Sequence, residues 1–425
     1  MNAMTPGTDA ARFPVQALRG QFPALQRAAD FIFFDNAAGA QVPHGVLAAV
    51  NEHLVGHNVQ RGGRYPQSVA VDASIQRGRA AVAALLNARR PEEIAFGMNA
   101  TSFIRLVSLA IGQTLGARNE IILTDLDHEA NVATWLVLER LGAQFRWWRM
   151  RDDGCLHCED LEPLVGPRTR LLACALASNA LGSIVDVHRA ARLVHGAGGE
   201  IFLDAVHYAP HGPIDVQALE CDYLVCSGYK IFAPHMGFLW GRYELLAQLP
   251  TFREDFIPDQ PPGKIEAGTF IYENVAGMAA AVDYLAALGH SLGARPADGA
   301  AELRDGCHTA MAAIRSYEQV LSRELLRVLR TAGATVYGLS DAAQVEGRVP
   351  TVCFNLPGIV PAAVTEAAAA AGIGIRDGHM YAPRLMHRLG LAVAQGAVRV
   401  SLVHYNTLAE IERFAAVLDR LLRTP

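Results

Sequence analysis

Lysine is almost absent from this chain. Of 37 basic residues only Lys230 and Lys264 are lysine, and the other 35 are arginine. Arginine serves as well as lysine on a solvated surface. Its guanidinium cannot lose a proton and attack a carbonyl, so the two remaining amines are candidates for chemistry. A surplus of positive charge is missing too: the formal net charge is −5, which leaves no basic footprint for nucleic acid. No uninterrupted apolar run reaches the roughly 18–20 residues that a membrane span needs. The opening MNAMTPGTDAARFP lacks the basic-then-apolar order of a secretory signal, so the expected location is the cytoplasm. Seven cysteines, an odd number, do not form a disulfide framework. Cys174, Cys221, Cys226 and Cys353 sit in or beside apolar runs, where cysteine behaves as a small buried hydrophobe. Cys155 and Cys158 form a lone CxxC with no second ligand pair at zinc-site spacing, so no metal is expected. Neither GxGxxG nor GxxxxGK[ST] follows a strand-like run, which ranks a nucleotide-binding enzyme last.

What is present is an ordinary globular balance, 51% apolar and 19% charged over 425 residues, enough for a large α/β unit and a smaller one. Between about residues 90 and 245, short β-rich runs alternate with helix-period segments. The runs are residues 93–97, 120–124, 169–178, 200–207, 222–227 and 236–241. Apolar on both faces and separated by helices, they predict a mainly parallel sheet covered on both sides. A helix over 274–289 leads through a Gly/Ala/Pro-rich stretch to a long helical pattern over 316–333. Further strand-like runs follow, with helices at 361–371 and 407–423. The expected division is a large domain over 30–292 and a small α+β domain made of 1–29 and 293–425.

Ligands of open parallel sheets gather at the carboxyl ends of the strands. Polar residues recur there: His128 after EIILTDLD, Asn179 after LLACALAS, Asp204 at the end of EIFLD, and Ser227 and Lys230 after DYLVC. Singly, each reads as a cap or turn residue. Together, with one of two lysines among them, they suggest a site. A desolvated lysine has a lowered pKa and forms imines. A buried carboxylate such as Asp204 can hold a proton on a pyridine nitrogen.

The run LDAVHYAPHGPIDV followed by DYLVCSGYK resembles the class V aminotransferases, in their cysteine-desulfurase-like branch. The likeness extends from FFDNAAGAQVP (33–43) to VRVSLVHYNT (398–407). It implies a pyridoxal 5′-phosphate enzyme of fold type I, with a mainly parallel seven-stranded sheet. It also implies a homodimer with shared active sites and a small amino-acid substrate. By that resemblance Lys230 is the Schiff-base lysine and Cα proton shuttle, Asp204 pairs with the pyridine nitrogen, and His207 contacts the ring's phenolic oxygen. His128 stacks on the ring face, and Asn179 approaches the ring oxygen and the substrate. Ala100 and Thr101 at a helix start, Ser227, and Thr269 from the partner hold the phosphate. Arg399 clamps the substrate carboxylate, a task suited to a planar bidentate donor. Ala38 and Tyr381 lie in the loops that would line the side-chain pocket.

Two positions depart from the family pattern. Tyr229 replaces the usual histidine before the lysine, and a phenol can still hydrogen-bond phosphate. In the loop RDGHMYAPRLM, Tyr381 stands where the desulfurases carry a cysteine. A persulfide needs a thiolate there. The expected function is therefore chemistry at Cα or Cβ of a small amino acid, as a transaminase or a β-elimination (C–S) lyase. The alternatives are an epimerase, a true desulfurase using another thiol, and a non-catalytic protein that binds the cofactor.

Overall fold

The computed structural model describes residues 13–28, 30–295 and 298–423. Residues 1–12, with most of the run read for a secretory signal and part of the expected 1–29 segment, lie outside the described residues. Apolar runs too short for helices become seven strands: β1 (Ile94–Gly97), β2 (Glu120–Thr124), β3 (Gln144–Trp148), β4 (Thr169–Ala175), β5 (Glu200–Asp204), β6 (Tyr223–Ser227) and β7 (Gly237–Gly241). Their order is β1-β7-β6-β5-β4-β2-β3. All pairings are parallel except those of β7, which runs against both β1 and β6.

Because side chains alternate across a strand, the central strands feed two separate cores. Leu172, Cys174, Leu203, Leu224 and Cys226 pack on one face. Leu171, Ala173, Phe202, Tyr223 and Val225 pack on the other. Helices cover both faces. Val187–Gly196 is one of them, and it starts where the Asp186 carboxylate accepts the Arg189 N–H at 3.1 Å.

Two expectations need correction. β3 was not anticipated as a strand. Its sequence QFRWW carries an arginine and a glutamine and is half exposed, because it lies at the sheet edge. The Gly/Ala/Pro-rich stretch before residue 316 is also mostly helical. One helix runs from Gly299 to Thr331, burying Cys307, Met311, Ile314, Leu321 and Leu325 at helical spacing. Among the described residues no helix is long and apolar enough to cross a membrane.

A second, antiparallel sheet holds β8 (Thr335–Tyr337), β9 (Thr351–Asn355), β10 (Arg376–Gly378) and β11 (Ala397–Ser401) in the order β10-β11-β9-β8. A single bridge from Asp35 to Ser401 ties it to the N-terminal segment, and another from Ser183 to Arg348 ties the segment leading into β9 to the turn after β4. This sheet brings residues from late in the chain to the carboxyl ends of β4 and β5.

Candidate active site

The carboxyl ends of the parallel strands open into a cavity. Lys230 lines it from a single 3-10 turn, Gly228–Lys230, that follows β6. The residue is 6% exposed; among the described residues Nζ forms no hydrogen bond or ion pair and lies 5.7 Å from the centre of the Tyr229 ring. Burial lowers the amine from the usual lysine range to about 8; neighbouring Arg399 adds to the effect and Asp204 opposes it. The chain's other lysine is different in kind. Lys264 Nζ lies 2.6 Å from Asp259 and 2.9 Å from the Ala247 carbonyl, so its charge is satisfied.

Asp204 ends β5 on the cavity wall, its Oδ1 accepting the Val206 N–H at 2.9 Å. Burial raises its carboxyl above the ordinary range, against the pull of that N–H and of Lys230. A further carboxyl, Asp127, was not foreseen. It is fully buried between Thr124 and Asn131, and burial and Asp204 push it up to about 7. Its position after β2 was legible, but a strand-end aspartate reads first as a turn residue.

Ala100 and Thr101 line the cavity at the start of the helix Ala100–Gly112, which is closed by a capping box between Asn99 and Ser102. The Ala100 N–H donates to the Ser227 hydroxyl at 3.2 Å, while the Thr101 N–H keeps no partner among the described residues. Gly237 makes this approach possible, since a Cβ there would fall 2.4 Å from the Asn99 carbonyl carbon. The turn of β6, the start of β7 and a helix N-terminus thus converge on one spot suited to an anion.

His128 stands over the cavity just before the helix Ala130–Leu136, its Nδ1 accepting the Ala130 N–H at 3.0 Å. Burial first, then Lys230 and Arg399, pull its imidazole down to about 4, so the ring is neutral. Its outer side meets Tyr381, stacked with ring centres 5.7 Å apart. Tyr381 is 54% exposed and, with Met380, adopts a left-handed backbone. Such a pair of non-glycine residues persists only where neighbours hold it. The holders are visible: the Glu129 N–H donates to the Tyr381 carbonyl at 2.8 Å and the Asn179 side chain to the Met380 carbonyl at 2.7 Å.

Arg399, on β11, is 2% exposed. It donates to the Asn179 carbonyl at 3.0 Å and pairs with Asp35 at 2.9 Å. Arg376 on β10 shares the same carboxylate at 2.9 Å. Asp35 lies in the run FFDNAAG, but nothing in the sequence links position 35 to 399. Tyr229 lines the cavity and stacks on His235. Two expected residues lie elsewhere in this chain. Ala38 borders a separate groove on the far side of Tyr229, and Thr269 bonds Gln60 at 2.6 Å on the surface.

Buried polar atoms without partners cluster here: Asn179 Oδ1, His207 Nδ1 and Arg399 Nε. Buried polar groups are normally paired, so three orphans beside an unpaired amine suit a polar ligand. With the anion cradle and Asp204, they fit an aromatic aldehyde phosphate.

The family model for aminotransferase class V matches residues 32–302 and 297–414. The chain belongs to the class V aminotransferases, which are pyridoxal-phosphate-dependent enzymes, and within them to the cysteine-desulfurase-like branch. It is 35% identical to an aminotransferase-like protein of Gibberella zeae, over 96% of this chain and 99% of that one. It is 32% identical to a probable cysteine desulfurase of Synechocystis, over 96% and 95%. The apo structure of a cysteine desulfurase from Thermococcus onnurineus superposes with a TM-score of 0.85 at 26% identity, covering 100% of both chains.

Proposed function

We propose that the enzyme labilises bonds at Cα of a small amino acid, transferring its amino group or expelling a β-substituent, without storing sulfur on its own chain. The observation that carries this reading is the unpaired, buried amine of Lys230 set against Asp204, under a loop whose thiol position is Tyr381. Bound pyridoxal phosphate supplies an electrophilic carbonyl and an electron-withdrawing ring. Lys230 would hold it and then take the Cα proton at Nζ. The Thr101 N–H and Ser227, with Thr269 of a second copy, would hold the phosphate. Asp204 would keep the ring nitrogen protonated, His128 would cover the ring face, and His207 and Asn179 would meet the ring oxygen. Arg399 would orient the substrate carboxylate, with Tyr381 closing the solvent side.

The remaining thiols support the exclusion of sulfur storage. Burial holds Cys155 and Cys158 up at about 11 and Cys307 and Cys353 at about 12, and it raises Cys174, Cys221 and Cys226 as well. None is the low-pKa, accessible thiolate that accepts sulfur. A screen of small amino acids, followed by product analysis and intact-protein mass, should show turnover with no added sulfur mass. A persulfide on any cysteine would remove the proposal.

A second copy of the chain would cover the apolar groove beside the site, which Val42, Leu47, Val50 and Leu54 line together with Ala38 and Tyr229. The reading places this dimer in the cytoplasm.

Because only the neutral amine attacks a carbonyl, cofactor loading should follow Lys230. The folded pKa is lowered, so the neutral fraction grows as pH rises through about 8 rather than through the ordinary lysine value of about 10.4. The initial rate at which cofactor-free protein gains the visible absorbance band should reach half its maximum near pH 8. A midpoint above pH 10 would contradict the burial argument.

A further inference from the structure

His207 is 3% exposed and lines the cavity, yet only one of its ring nitrogens has a partner. Nε2 lies 3.0 Å from the Thr351 hydroxyl, and Nδ1 is buried with none. Burial, with His211, Lys230 and Arg399 acting in the same direction, keeps the imidazole neutral, so one nitrogen carries the proton and the other does not. Which nitrogen it is depends on Thr351, the fully buried first residue of β9.

Among the described residues the Thr351 hydroxyl makes no hydrogen bond except the one to His207. Suppose Nε2 donated to that oxygen. The hydroxyl proton of fully buried Thr351 would then have no acceptor, and the Nδ1 lone pair would have no donor. If the hydroxyl donates to Nε2 instead, the unmet donor is the Nδ1–H of a residue that lines the cavity, where a ligand or water can take it, and the unmet acceptor is a lone pair of the Thr351 hydroxyl. Each arrangement leaves one donor and one acceptor over, and the donor decides: a hydroxyl proton stranded in the closed interior costs more than a spare lone pair on a hydroxyl that already makes one bond. The neighbouring ring does not compete. His211 stands 5.4 Å away and is engaged through Nδ1 with buried Glu318 at 2.8 Å. The contact is also built into the backbone. Gly182, at φ +80°, lets the turn after β4 press on β9, since a Cβ there would meet the Thr351 carbonyl oxygen at 2.5 Å.

We propose that Thr351 is a positioning residue that locks His207 as the Nδ1–H tautomer, so that His207 meets the cavity as a hydrogen-bond donor. That the acceptor is the ring oxygen of the cofactor rests on the reading above; the tautomer does not. A donor at that oxygen stabilises its anionic form, so Thr351 acts on the chromophore through His207.

The test is ¹⁵N-imidazole NMR of the full-length cofactor-free protein at neutral pH, with His207→Gln identifying the resonances. The wild type and Thr351→Ser should both show the proton on Nδ1. In Thr351→Val it should spread over both nitrogens. A wild-type proton on Nε2, or a Thr351→Val spectrum unchanged from wild type, overturns the proposal. The wild-type measurement decides even if the valine variant fails to fold. In the holoenzyme the visible band should shift in Thr351→Val and be restored in Thr351→Ser. If the tautomer changes and the band does not, the locking role stands and the placement of His207 at the ring oxygen falls.

Discussion

Lys230→Ala should lose covalent attachment of pyridoxal phosphate and lower turnover by about 10⁴-fold, the upper end of what one positioned proton-transfer group contributes. Borohydride treatment should fix the cofactor to the peptide that contains residue 230 in the wild type and to no peptide in the variant. The fold should survive the change. Nζ has no hydrogen bond or ion pair to lose among the described residues, and below about pH 8 its charge is buried at a cost that alanine removes. The lost packing of the aliphatic stem works in the opposite direction, so the two effects partly cancel and the thermal midpoint should move by a few degrees at most. Lys264→Ala is the internal control. That amine is paired with Asp259 and bonded to the Ala247 carbonyl, away from the cavity. The variant should give up a little stability and keep its activity. If Lys264→Ala abolished cofactor attachment and Lys230→Ala did not, the whole assignment would be wrong.

The sheet and half of the site could be read in advance because both follow from local pattern. Runs such as EIFLD and DYLVCS are apolar on both faces and end in polar residues, so the strands and the residues at their carboxyl ends come together. The near-absence of lysine then singled out position 230. Residues joined only by tertiary contact were not readable. Asp35 meets Arg399 across 364 positions, and Thr351 meets His207 across 144. No periodicity or spacing carries such pairings. Arg399 alone looked like a solvated strand-end arginine, because burial at a junction between two sheets leaves no mark on the strand itself. β3 was missed for the converse reason: an edge strand tolerates Gln and Arg on its open side, so its apolar signal is diluted. Thr351 carried no signal at all, since a threonine opening a β-branched run is what strand propensity alone would supply.

Arg399→Ala should separate substrate binding from stability. Truncating one member of a buried ion pair costs about 3–5 kcal/mol when the other member is left stranded. Asp35 is not stranded here. Arg376 remains 2.9 Å from its second oxygen, and the carboxylate is 21% exposed, so the loss should stay nearer 1–3 kcal/mol, the range for one unmade hydrogen bond. Substrate affinity has no such reserve. A charged hydrogen bond to a carboxylate contributes about 1.5–3 kcal/mol, so KM should rise roughly 10- to 100-fold. The same variant should also move the amine of Lys230. Arg399 is the second cause of its lowered pKa, after burial, so without that charge the midpoint of cofactor loading should climb above pH 8. Arg399→Lys pulls the two effects apart. A lysine that stays charged beside Asp35 keeps the loading midpoint close to wild type but lacks the planar fork for a carboxylate, so KM should still rise. If both variants shifted the midpoint equally, proximity of charge would not be what Arg399 supplies to Lys230. If neither raised KM, Arg399 would be a tie between the two sheets and nothing more.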